Sequence, residues 1–190
     1  MSIVLLGSTS GSCTLQEQAI AGSTTLTLPT FNGTVGLLVS GTAVSASGTA
    51  VDFTGIPAGV RRITVLLNNI STNGTSPFLI QLGDSGGFEN TGYIAGAASR
   101  SIETTNTTGF ILNQSGVAAQ AFNGINTIAL VSANLWVSAG ILPRSGTGGD
   151  GFGNMSSGNK TLSDTLDRIR ITTANGTDTF DLGSINILYE

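Results

Sequence analysis

Apolar residues recur at every second position through much of this chain, in short runs closed by Gly, Pro, Asn or Asp, and that period predicts strands. The first clear run is RRITVLLNNI at 61–70, entered through the turn residues IPAG at 56–59. In the run at 77–83, Phe78, Ile80 and Leu82 share one face, Leu79 and Gln81 take the other, and DSGG closes it. Weaker strands are predicted at 92–98 and 109–113, separated by a polar stretch at 100–108. Runs at 126–132 and 135–139 read as a hairpin joined at Ala133-Asn134. Runs at 166–173 and 178–182 read as a second hairpin, because Asn175-Gly176 suits a type I′ turn. There Ile169 and Ile171 face inward and Arg168 and Arg170 outward, and Ile185, Ile187 and Tyr189 share a face in the terminal run. Strands at this spacing predict an all-β, antiparallel β-sandwich of jelly-roll type over 51–190.

Residues 1–50 differ, with short apolar stretches separated by Gly-Ser-Thr spacers, and read as an extended N-terminal arm. Period-two alternation at 14–17 and 24–28, a turn at 21–23 and a stop at Pro29 predict short strands within it. Such ribbons are marginal alone in water, so the arm is expected to pack on a neighbouring subunit or on its own core. Leu15, Leu26, Leu28, Leu37 and Leu38 are the candidate interface residues.

Composition narrows the partners. Charged residues make up 9% of the chain against about a quarter in ordinary domains, so solubility rests on hydroxyls and amides. A net charge of −4 with scattered basic residues offers no cationic face for nucleic acid. Mean hydropathy is +0.27, yet polar residues break every run short of the roughly 18 apolar residues a span requires, so no membrane partner is expected. The apolar start is too short for a signal peptide, which predicts synthesis in a cytoplasm. Cys13 is the single cysteine and is read as a buried or idle thiol.

The chemistry-bearing residues are few. Without His, the chain lacks the usual base for a Ser or Cys nucleophile and the commonest zinc ligand. A Ser-Lys arrangement would need Lys160, which this reading places in a flexible loop. Asp164, Asp167, Asp178 and Asp181 are close in sequence, as a glycosidase pair would need, but Asp178 and Asp181 fit better as solvated hairpin ends or as partners of Arg168 and Arg170. Arg61 and Arg62 are adjacent on a strand and point to opposite faces, so they form no clamp. Trp136, Phe152 and Tyr93 would make a sugar-stacking rim if they converged, with core packing the default for Trp136. Residues 143–163 read as the longest loop, rich in Gly, with Arg144, Asp150, Phe152 and Lys160 as its candidate contacts. It has neither EF-hand nor P-loop order. No catalytic residue, cofactor or metal is expected.

Three stretches, at 56–87, 125–140 and 166–190, together resemble a family of tailed-phage virion structural proteins, whose β-sandwich module is shared by capsid decoration (cement) proteins and tail or head fibre proteins. TLQEQAIAGSTTLTLP at 14–29 is similar to a segment that precedes such modules. The resemblance implies a non-enzymatic protein exposed on the virion surface and made in the host bacterial cytoplasm. Size and the arm favour a capsid decoration protein, a homotrimer that binds the major capsid protein through its arm. The alternative is a short tail or head fibre binding a host surface glycan. These motifs are structural signatures, and the resemblance assigns no site residue.

Overall fold

The computed structural model describes residues 2–6, 12–16, 36–99, 102–114, 118–145 and 153–190. Its contacts divide the chain into two units, 1–35 and 36–190. In the first, β1 (Ser2–Leu6) pairs antiparallel with β2 (Ser12–Gln16), which sets Leu15 opposite Ile3. The strand expected at 24–28, with Leu26 and Leu28, lies outside the described residues.

The second unit is all-β. In chain order its strands are β3 (Val39–Ser40), β4 (Val44–Ser45), β5 (Ala50–Thr54), β6 (Arg62–Thr72), β7 (Phe78–Asp84), β8 (Gly87–Phe88) and β9 (Ile94–Ser99). They continue with β10 (Ile102–Asn106), β11 (Phe110–Ile111), β12 (Phe122–Ser132), β13 (Leu135–Pro143), β14 (Gly153–Thr161), β15 (Arg168–Thr173) and β16 (Phe180–Tyr189). A large antiparallel sheet runs β10-β9-β14-β13-β12-β6-β16-β3, with β4 also on β16. A small one runs β11-β7-β15-β5, with β8 on β7.

The two sheets bury their inner faces against each other. Ile63, Val65 and Leu67 of β6, Ile128 of β12 and Ile185 and Ile187 of β16 meet Ile80 and Leu82 of β7 and Ile169 and Ile171 of β15 in one cluster. Each such side chain contributes about 1.5–3 kcal/mol by leaving water. Phe78 of the small sheet joins the layers, 5.4 Å edge-on from Phe122 and 5.8 Å stacked on Phe180. The alternation read in β15 holds, since Ile169 and Ile171 are buried while Arg170 points out to Asp52 at 2.7 Å and covers the Phe88 ring at 4.1 Å.

The structure corrects several expectations. The runs about Asn175-Gly176 form no hairpin, because β15 belongs to the small sheet and β16 to the large one. Both alternating faces point at the same core from opposite sides, so the turn carries the chain across it. Gly176 takes φ +68°, and Asn175 Oδ1 accepts the Thr177 and Asp178 amides. Asp178 and Asp181 accordingly do not serve Arg168 and Arg170, which pair with Asp167 and Asp52. Much of the supposed loop at 143–163 is β14, hydrogen-bonded to β13 and β9. Its small residues allow close approach: a Cβ on Gly158 would lie 2.7 Å from the Ile94 carbonyl. The polar stretch at 100–108 contains the edge strand β10. β3 and β4 pair with β16.

Candidate functional site: the outer face of the large sheet

Cross-strand register places outward residues in three rows. One row reads Leu66, Ile125, Ile141, Met155, Ala98 from β6 to β9 and ends at Glu103 on β10. Two residues along the strands, the next reads Thr64, Thr127, Ala139, Ser157, Gly96, Thr105. The third reads Arg62, Ala129, Val137, Asn159, Ile94. The first row is a ridge: Ile125 is 54% exposed, Ile141 55% and Met155 67%, and Ile94 in the third row is 72% exposed. The middle row is small and forms a trough between them.

Within these rows charge stands only at the ends, on Arg62 and Glu103, and Arg62 is already ion-paired with Glu190. Two shallow grooves mark the β9 side. One of about 270 Å³ is lined by Gly96, Ala98, Glu103, Thr105 and Met155. The other, of about 550 Å³, lies among Ile94, Gly96, Val137, Ser157 and Asn159. A contiguous, uncharged face carrying several exposed large aliphatic side chains is what an association surface looks like.

Compared with protein-family models, with curated proteins and with solved structures, the chain matches none.

The face is held rigid from beneath by polar contacts. Asn126 of β12 accepts from the Ser138 hydroxyl at 2.8 Å, and Asn154 of β14 donates to the Leu142 carbonyl at 3.1 Å while accepting the Gln114 amide. At the other end of β14, Lys160 is buried and ion-paired with Glu89. The Ser163 hydroxyl lies 2.7 Å from both Glu89 Oε1 and Asp84 Oδ2, and its amide also donates to Glu89. The Ser163 hydrogen bond is the main cause that holds the Asp84 carboxyl below its ordinary value. For Glu89, burial pushes the carboxyl up, but the Lys160 and Ser163 bonds together outweigh it and leave it low. Tyr93 donates to the Glu89 carbonyl and accepts the Leu82 amide, and burial raises its phenol. This cluster ties β14, the segment after β8 and the 162–167 loop together, and neither groove of the outer face includes it.

The expected contact residues scatter. Leu37 and Leu38 are exposed, at 77% and 58%, just before β3. Leu15 lies on β2 in the first unit. Arg144 is half-buried and bridges to Phe122, while Asp150 and Phe152 fall outside the described residues. Lys160 corrects its expectation: it sits in a strand, its charge answered by Glu89. Trp136 and Tyr93 are core residues and form no exposed rim. The sequence reading missed Ile94, Ile125, Ile141 and Met155. A signal existed, since INTIALVS and LWVSAGIL carry more apolar residues than one buried face uses.

Proposed function

We propose that the protein is a non-enzymatic structural subunit, a decoration protein on the capsid of a tailed-phage particle. Such a subunit works by surface-to-surface packing, and the uncharged ridge-and-trough face of the large sheet is the observation that carries the reading. The N-terminal β1–β2 ribbon supports it further, because a two-stranded ribbon gains stability by adding to another sheet. In this role the ribbon segment, with Leu15, Leu26 and Leu28, attaches to the major capsid protein, and many copies per particle multiply a weak contact by avidity. The experiment removes residues 2–30 and measures co-purification with capsids. Loss of binding is expected, and full occupancy without the segment overturns the attachment.

A second reading, a short tail or head fibre that binds a host glycan, draws on a groove of about 290 Å³ lined by Gln81, Asn90, Thr108, Arg170 and Asn175. Amides, hydroxyls and a guanidinium suit sugar hydroxyls. Glycan-array binding that disappears with Asn90→Ala and Asn175→Ala would favour it over the capsid reading.

A further inference from the structure

We infer that the outer face of the large sheet is occupied by a second copy of this chain, packed face to face about a two-fold axis that runs along the rows. The inference rests on the reading of the protein as a structural subunit and names the partner of its exposed face.

Three observations converge on this occupant. The first is area. Five neighbouring strands, β6, β12, β13, β14 and β9, at about 4.8 Å spacing and some eight residues each at about 3.3 Å, present on the order of 600 Å². A specific interface needs roughly 500 Å² from each partner, so the face alone suffices. The second is charge. An interior of Leu, Ile, Met, Val, Ala, Gly, Ser, Thr and Asn meets its own copy without like-charge repulsion and gives a charged partner nothing to pair with.

The third is relief. Successive rows lie two residues apart, about 6.6 Å. A two-fold axis between the ridge row and the trough row lays each ridge into the other copy's trough. That operation keeps strands in line, so Ile141 of one copy lies over Ala139 of the other, Met155 over Ser157 and Ile125 over Thr127. Each contact occurs twice, as an isologous interface requires, and the strands of the two sheets cross at the small angle of aligned sheet packing.

Sedimentation velocity on the full chain tests this, with reductant present to keep Cys13 a thiol. A dimer is expected, in place of the homotrimer that the resemblance implies. Ile141→Asp places two buried charges at the centre of the interface and should weaken the dimer by at least ~100-fold. Ala139→Trp fills the trough and should do the same, whereas Thr54→Asp on the small sheet should leave the dimer intact. Both interface positions are exposed in the single chain, so far-ultraviolet circular dichroism should report an unchanged fold. A wild-type chain that stays monomeric to about 100 μM, or an oligomer indifferent to both substitutions, overturns the inference. Should that happen while removal of residues 2–30 still abolishes capsid binding, the capsid reading stands and the paired face falls.

Discussion

Lys160 and Glu89 form an ion pair between a strand of the large sheet and the segment that follows β8 of the small one, with side chains 6% and 21% exposed. Lys160 also stands 5.4 Å from the centre of the Tyr93 ring. Removing one partner leaves a charge without its counterion in a dry place. Lys160→Met is therefore expected to lower unfolding free energy by about 3 kcal/mol in urea titrations. Lys160→Met with Glu89→Met should cost less than the two single changes summed, since neither charge is then left alone.

The same cluster sets an acid limit. Asp84 and Glu89 are held below ordinary carboxylate values in the folded chain, so they contribute stability above those values and lose it as pH falls through the depressed ones. Urea midpoints should be flat near neutrality and drop below about pH 4. Ser163→Ala removes the largest cause acting on Asp84 and should make that drop shallower. An unchanged acid slope in this variant would show that the hydroxyl does not hold the carboxyl down.

Backbone strain predicts two opposite responses to glycine. Ala133, in the turn between β12 and β13, takes φ +47°, a conformation costly for a residue with a Cβ. Ala133→Gly should raise stability by roughly 0.5 kcal/mol after the entropy of the freer unfolded chain is counted. Gly183, at φ +94° in the bulge of β16, already uses that freedom, and a Cβ there would lie 2.5 Å from the Asn68 and Asn69 carbonyls. Gly183→Ala should cost about 2 kcal/mol or more, read as a fall in the thermal midpoint.

Trp136 offers a different test. Its ring is buried in the core, and its Nε1 has no hydrogen-bond partner among the described residues. Trp136→Phe removes that donor together with part of the ring, two effects of opposite sign, and should change stability by less than about 1.5 kcal/mol. Trp136→Ala should cost about 3–5 kcal/mol, because it leaves a cavity and gains nothing in return.

What was legible in the sequence was local period. Ile169 with Ile171, and Ile185 with Ile187, gave their faces away because apolar and polar residues alternate strictly there. Pairing was not legible, since Asn175-Gly176 specifies a turn without saying whether its flanking strands share a sheet. β14 was hidden because GNMSSGNKT lacks branched and aromatic residues, and its place between β13 and β9 overrides a weak intrinsic preference. Lys160 looked mobile for the same reason, and its partner Glu89 is a neighbour only in space. The outer face escaped because Ile125, Ile141 and Met155 sit far apart in the chain and become one row only through the register of three strands.

The position of β16 has a consequence for how the molecule is made. It pairs with β6 on one side and with β3 and β4 on the other, so strands from early in the second unit wait for residues 180–189 before the large sheet can close. A nascent chain on the ribosome would display β6 as an open edge until those residues emerge. Closure of the large sheet should therefore wait until those residues are made and be slow for the size of the sandwich, and the growing polypeptide should depend on chaperones that shield unpaired strands.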